Sequence, residues 1–417
     1  MKTSSLIFCS FSLALALGFL AIRLAPMLRL LDVPGGRRQH GAPVPRVGGL
    51  ALISALLIIS FLRGFYLPMT NLEFVLVLVM AITGLVDDLT DLRPVWKASL
   101  GLFVALVLAG SLVSSLHAGL APFKVFLFLV PPAPWLVFTL LALFFWSIPQ
   151  ALNLIDGANG LATGFGLVVV GNLWASGSPH PMLAGTLAAC LLLNWPRARL
   201  FLGDCGSLSL GLLLVIYAEK RLLIPNPNHL LWLFAYPIAD VLMVIIIRLI
   251  QSKPVFIGDR NHLHYQLIDR WPKYIWGPVP MLLTIAALCG SEIYLTGPWL
   301  ILPYSGLAML FIFTSSTIFL SVKEKEAERP GKARAITHEL GYMNSLSGLA
   351  KGTRFGRDPF APAEKISSPD ELPPDPSLKH LARQGPALEG RVEALALHEG
   401  AVNVDLGTQV HEREIAG

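Results

Sequence analysis

The sequence predicts an all-α, polytopic membrane protein, and composition and periodicity carry that expectation. Of its residues 54% are hydrophobic and 14% charged, against about 25% charged in a typical soluble domain. Mean hydropathy is +0.63. Apolar stretches also recur at lengths near the roughly 20 residues that cross a bilayer. They lie at about 5–27, 47–66, 70–86, 95–115, 133–150, 158–176, 181–195, 206–218, 229–250, 277–296 and 299–321, which makes about 11 transmembrane helices. The shorter run "FKVFLFLV" at 123–130, stopped by Pro131 and Pro132, is too brief to span and reads as an interfacial hairpin.

Orientation follows from the basic residues flanking these stretches, which are retained on the cytoplasmic side. One set of alternate loops holds Arg29, Arg37, Arg38, Arg46, Arg93, Lys97, Arg197, Arg199, Lys253, Arg260, Arg270 and Lys273. The other holds Arg63, Lys124, Lys220 and Arg221, apart from Lys2 at the terminus. The richer set is therefore expected in the cytoplasm, with the N-terminus outside and the C-terminus inside. A net charge of +5 is accounted for by basic loops against an anionic leaflet, so no nucleic-acid partner is implied. Met1 to about Gly18 has the composition of a secretory signal, but the apolar run continues to Leu31 and favours an uncleaved first span. The four cysteines show neither metal nor disulfide spacing.

Beyond Val322 the composition turns abruptly to "KEKEAERPGKARAITHEL" and "SSPDELPPDPSLKH". A transmembrane catalytic domain over 1–322 is thus expected to precede a cytoplasmic, largely disordered tail over 323–417.

Polar chemistry gathers in the loops assigned to the cytoplasm. These are "DVPGGRRQHGAPVPRVGG" (32–49), "GLVDDLTDLRP" (84–94), "NLIDGANGLATG" (153–164), "NWPRARLFLGDCGSLSLG" (194–211) and "SKPVFIGDRNHLHYQLIDRW" (252–271). Five such loops on one side describe a composite site. Asp87 and Asp88 are adjacent and Asp91 lies one helical turn on, so three like charges crowd where a span meets water. A solvated acidic cap explains one of them. Three, joined by Asp156 and Asp204, point to a divalent cation held with phosphate. Asp204 between Gly203 and Gly206 reads equally as a helix cap or as part of a phosphate-binding helix start. In "DRNHLH", His262 and His264 lack the further ligands zinc prefers. With Arg260 they read as a cationic group facing a diphosphate, one histidine carrying a proton or touching phosphate. Arg37, Arg38 and His40 could serve a second phosphate; a plain membrane anchor explains their charge but not the following Gly48 and Gly49.

Together the motifs R-x-H-x-x-P-x-P-x-x-G-G, D-D-x-x-D, N-x-x-D-G-x-x-G-L-A, F-x-G-D-x-G-S and D-R-x-H-x-H, over roughly residues 30–275, resemble the polyprenyl-phosphate N-acetylhexosamine-1-phosphate transferases. The resemblance implies catalytic positions at Asp87, Asp88, Asp204 and His264. It implies Mg²⁺, or Mn²⁺ in its place, on Asp87, Asp88 and Asp204. Substrate contacts fall on Arg37, Arg38, His40, Asp91, Asn153, Asp156, Asn159, Arg260 and His262. Many family members have Asp where this chain has Asn159, which keeps an oxygen but gives up a charge. The "HLH" pattern is closer to the branch using UDP-N-acetylglucosamine or related amino sugars.

The implied enzyme is a Mg-dependent phospho-sugar transferase of the bacterial inner membrane, active on the cytoplasmic face. It transfers N-acetylhexosamine-1-phosphate from a UDP-sugar to polyprenyl (undecaprenyl) phosphate, releasing UMP, as the first membrane step of envelope glycan synthesis. A homodimer is compatible with this reading. The alternative is a multi-span lipid or solute transporter or flippase, whose ionisable groups would lie near the bilayer midplane. Asp240 in the ninth stretch is the candidate for that view, unless it reaches the site or pairs with Arg248.

Overall fold

The computed structural model describes residues 2–32, 43–64, 67–116, 123–125, 128–130, 133–223, 226–254, 260–270 and 277–321. Arg37, Arg38, His40 and the tail over 323–417 lie outside the described residues.

The described chain is mostly helical. It runs α1 (Thr3–Leu24), β1 (Leu31–Asp32), β2 (Val44–Pro45), α2 (Gly48–Leu62), α3 (Asn71–Thr90) and α4 (Pro94–Leu116). The hairpin strands β3 (Phe123–Val125) and β4 (Phe128–Val130) precede α5 (Pro134–Ile155), α6 (Leu161–Ala175), α7 (Pro181–Asn194) and α8 (Gly203–Leu222). Then come α9 (Asn228–Leu233), α10 (Ala235–Gln251), α11 (Leu263–Arg270), α12 (Pro278–Gly290) and a last apolar helix within Gly297–Ser321. Among the described residues four helical segments have the length and composition to cross a membrane: Thr3–Leu28, Pro94–Ser115, Pro134–Ile155 and Gly297–Ser321. Four further apolar helices are shorter. Phe123–Val125 and Phe128–Val130 do pair antiparallel, with Lys124 opposite Leu129.

The bounds of three elements depart from the apolar stretches, and each departure matters for the site. The fifth helix continues through "QALN" to Ile155, although Pro149 sits inside it. Asn153 is therefore on a helix rather than in a loop. The eighth begins at Gly203, three residues before its apolar run, so Asp204 lies in a helical first turn. The ninth stretch is broken into α9 and α10 at Phe234. Pro237 has no N–H, and its ring crowds the carbonyl four residues earlier, on Leu233, where α9 ends.

Two antiparallel helices frame the site. A capping box starts α3, in which Thr70 Oγ1 accepts from the Glu73 N–H at 3.2 Å and Glu73 Oε2 accepts from the Thr70 N–H at 2.6 Å. At its other end Asp91 adopts φ 49°, a left-handed C-cap. Helix α8 packs along α3, and α5 packs against both α8 and α4. The start of α8 is approached by bare backbone from two sides. A Cβ on Gly84 would lie 2.2 Å from the Asp204 carbonyl oxygen, and one on Gly49 2.2 Å from the Gly206 nitrogen. The N–H groups of Gly48 and Gly49 donate to the Phe201 and Leu202 carbonyls at 2.9 and 2.8 Å. Gly48 and Gly49 thus serve helix packing, which accounts for the glycines that a plain membrane anchor left unexplained.

Overpacked positions cost about 1–3 kcal/mol or more. Gly84→Ala is expected to lower the thermal stability of the detergent-solubilised protein by at least that amount. Gly171→Ala, which meets nothing within 4 Å inside α6, should not lower the melting temperature, since alanine is the better helix former.

Candidate active site

The helix ends gather around a cavity of about 550 Å³, within the size range of small-molecule sites. Asp32, Asp87, Asp88, Asp91, Asp156 and Asp204 line it, with Arg46 and Arg260 as the lining cations. Asn153, Asn159, Gly157, Trp195, Phe201 and Tyr265 complete most of the wall. Four of the five polar loops therefore meet there through the expected residues. The first contributes Asp32 and Arg46, an ion pair across β1 and β2.

The two neighbouring aspartates on α3 do different things. Asp88 turns toward α8, where its Oδ1 accepts from the Asp204 N–H and its Oδ2 from the Cys205 N–H, both at 3.0 Å. The carboxylate caps the start of α8, so the N–H groups expected to attract phosphate are already engaged. Gly203 makes this approach feasible, because it adopts φ 73° and a Cβ there would lie 2.7 Å from Asp88 Oδ2. Burial pushes the Asp88 carboxyl up to about 7, against the two amide hydrogen bonds.

Asp87 instead faces Lys97, whose Nζ donates to Asp87 Oδ2 at 3.0 Å and also to Asp204 Oδ2. Asn153 Nδ2 donates to the same Asp204 oxygen at 3.1 Å, and Ser207 Oγ donates to Asn153 Oδ1 at 3.2 Å. Burial, then the hydrogen bond and charge of Asp204, raise the Asp87 carboxyl to about 6 despite Lys97. Burial disfavours the Asp204 anion too, but hydrogen bonding from Asp87, the Lys97 charge and the Asn153 amide hold it below the ordinary carboxylate range. At neutral pH Asp204 is the settled anion. Asp156 is raised well above the usual range, by burial first and then by the charges of Asp204 and Asp88. Asp91 is exposed at the helix cap and sits on the cavity rim rather than in the inner group.

The third wall is the histidine loop. Arg260 lies over the Tyr265 ring, 4.5 Å from its centroid, and pairs with Asp269 at 2.7 Å. Tyr265 in turn packs against His264, with centroids 4.2 Å apart. Gly157 admits both: a Cβ there would lie 2.1 Å from the Tyr265 hydroxyl and 3.1 Å from His264 Nε2. His264 is fully buried, and burial pushes it down to about 4, so it is a neutral ring. His262 is also buried, behind His264. Asn159 Nδ2 donates to the Pro196 carbonyl at 3.1 Å, a bond that a carboxylate could not make.

Among the described residues no three His, Cys, Asp or Glu side chains form a ready-made metal cage. A magnesium ion does not require one, since it is commonly held by one or two carboxylates with phosphate and water. Asp87 and Asp204 are such a pair, and the Lys97 ammonium already bridges them. The arrangement therefore fits a hard divalent cation, with Asp88 behind it as the capping group rather than as an equal ligand.

Lys97, Tyr265 and Asn194 are positions at the site that motif reading passes over. Lys97 reads as a membrane anchor in sequence. The available signal is the three-residue link 91–93 followed by Pro94 at the start of α4, which sets the first turn of α4 beside the last turn of α3. Asn194 ties two site loops, accepting from the Gly160 N–H and donating to the Leu200 carbonyl at 2.9 Å.

These features define a helical membrane protein with a charged cavity at one end of its helices. The profile of Glycosyl transferase family 4 matches residues 72–220, from the capping box of α3 to the end of α8. The chain is 27% identical over 276 residues to the undecaprenyl-phosphate alpha-N-acetylglucosaminyl 1-phosphate transferase of Salmonella typhi, covering 59% of this chain and 71% of the relative. It is 29% identical over 267 residues to the probable undecaprenyl-phosphate N-acetylglucosaminyl 1-phosphate transferase of Bacillus subtilis (strain 168), covering 59% and 72%. Against the Escherichia coli (strain K12) protein with the same name as the Salmonella one, identity is 26% over 277 residues, covering 60% and 72%. The chain is thus similar to glycosyl transferase family 4 over residues 72–220 and to these transferases over about three fifths of its length.

Removing one partner of a buried ion pair costs about 3–5 kcal/mol. The side chains of Lys97, Asp87 and Asp204 are 19%, 13% and 21% exposed, which brings the expectation for Lys97→Met nearer ~2 kcal/mol. Thermal unfolding at mildly alkaline pH should show this loss, and adding Asp204→Asn should recover part of it. An unshifted midpoint would show that Lys97 does not bridge the acids.

Proposed function

We propose that the protein transfers an N-acetylhexosamine-1-phosphate from a UDP-sugar to polyprenyl phosphate and releases UMP. One observation carries this reading: Asp87 of α3 and Asp204 of α8 are brought onto a single cation at the wall of a cavity that Arg46 and Arg260 also enter. The names of the relatives support the acceptor and the transferred group. The basic loops support a cytoplasmic site, where a soluble nucleotide sugar and a lipid phosphate in the leaflet can both arrive.

In the proposed step a lipid-phosphate oxygen forms a bond to the β-phosphorus of the donor. The bond from that phosphorus to the bridging oxygen breaks, and UMP leaves with the electron pair. One diphosphate linkage replaces another, so the step is near balance and reversible. The main obstacle is repulsion between two anions inside a cavity lined by aspartates. A Mg²⁺ held by Asp87 and Asp204 would supply the neutralising charge for phosphoryl transfer. Asn153 and Lys97 orient the Asp204 carboxylate, and Asp88 fixes the backbone that presents it. Both oxygens of Asp88 are engaged by the α8 N–H groups, so Asp87 rather than Asp88 is the one of the pair placed to receive the acceptor's proton. Arg260 and Lys97 provide further positive charge. The feature behind the transporter reading, Asp240, has both carboxylate oxygens engaged by the histidine loop.

Purified protein incubated with radiolabelled UDP-N-acetylhexosamine, undecaprenyl phosphate and Mg²⁺ should yield butanol-extractable label. Absence of labelled lipid with every amino-sugar donor would sink the reading. Chelating divalent ions should abolish both forward transfer and the reverse exchange driven by UMP. Asp204→Asn should lower turnover by about a hundredfold, the scale of losing one electrostatic stabiliser, while membrane insertion stays intact.

A further inference from the structure

We propose that Asp240, a carboxylate sealed inside α10, is the positioning residue of the histidine loop. It is 0% exposed, and an isolated charge so placed is costly unless paired. Its pairing is complete and directed at one target. Oδ1 accepts from the Leu263 N–H at 2.6 Å, and Oδ2 lies 2.7 Å from His262 Nδ1. One carboxylate thus grips a backbone amide and the preceding side chain together, which fixes both the path of the loop and the rotation of the imidazole.

The pattern also assigns a proton. Facing a carboxylate, His262 Nδ1 must be the N–H donor, which leaves Nε2 as the variable nitrogen of the ring. The His262 ring lies 5.7 Å from that of His264 at 23°. His264, itself fully buried and with neither ring nitrogen hydrogen-bonded among the described residues, packs on Tyr265. Tyr265 lies beneath Arg260, and both line the cavity. A continuous stack therefore leads from Asp240 to the guanidinium, and Asp240 is its only member rooted in a long helix. The carboxylate acts through His262 and touches no substrate.

The kinetic part of this proposal rests on the transferase reading; the structural part does not. In the ligand-free protein, Asp240→Ala should speed amide exchange of the peptide containing Leu263 by about tenfold or more, with α3 and α8 unaffected. Unchanged exchange would overturn the proposal whatever the activity of the protein. Asp240→Asn keeps an acceptor for Leu263 but turns a donor toward His262, so the ring stays in place with its proton moved to Nε2. Transfer by this variant should fall about tenfold in kcat/KM. In a His262→Gln background the same substitution should cost less than about twofold. Losses that multiply would show that Asp240 does not act through His262. If the wild-type protein transfers no sugar phosphate to lipid, the transferase reading fails and the exchange experiment still decides the role of Asp240.

Discussion

The grip of Asp88 on the first turn of α8 is the contact on which the rest of the site depends. Two backbone N–H groups that would otherwise lack partners at a helix start are satisfied by one carboxylate from α3. Such charge-assisted bonds are each worth about 1.5–3 kcal/mol. They form only because Gly203, Gly84 and Gly49 let three backbones close on one another. Burial opposes the arrangement, and an Asp88 carboxyl near 7 shows that burial outweighs the amides in setting its titration. The geometry of α8 is thus secured by close backbone packing together with the Asp88 cap. Once it is secured, Asp204 projects from a fixed helical turn, and Asn153 on α5 and Lys97 on α4 can reach it.

The charge balance of the cavity follows from that placement. Asp87 and Asp204 share one ammonium and divide unequally, with Asp204 held ionised and Asp87 close to neutral pH in its titration. Asp156 is driven toward the protonated form by burial first and then by the charges of Asp204 and Asp88. The site is therefore less negative than its aspartate content suggests, yet it retains one firm anion where a cation is wanted. This asymmetry suits the phosphates of the proposed reaction, because a cluster of fully ionised acids would exclude them.

Much of this was legible in the sequence where chemistry is local. The acids at "DDLTD" and "FLGDCGS", the amide of Asn153 and Arg260 are found on the cavity where their loops suggested. What sequence could not separate was the division of labour between neighbours. Asp87 and Asp88 look equivalent in a string, and only the direction in which α3 presents each carboxylate makes one a cap and the other a member of the cationic bridge. Asp91, spaced one turn away, should have joined them, but the left-handed cap at the helix end leaves it on the rim. Gly48 and Gly49 stood out in the sequence as unexplained by a membrane anchor, and their partner is the backbone at the start of α8. Hydropathy also ran through Pro237 without registering that α9 and α10 are separate, since apolar content is blind to a missing N–H.

The same blindness explains Asp240. An acid in an apolar stretch is read by default as part of a conduction path, because burying it without purpose is expensive. The purpose here lies at the far end of a loop more than twenty residues on, where the "HLH" motif folds back over α10. Motif and buried acid are then two halves of one feature: the histidines supply rings that stack toward the cavity, and the carboxylate supplies the fixed point that keeps a short helix and its loop in place beside Gly157, just after α5. A cavity built from helix ends needs such a fixed point on each wall. Asp88 provides it for the acidic wall, by holding backbone N–H groups with a carboxylate. Asp240 does the same for the basic one, and the two walls thereby use one physical device to aim opposite charges at a common space.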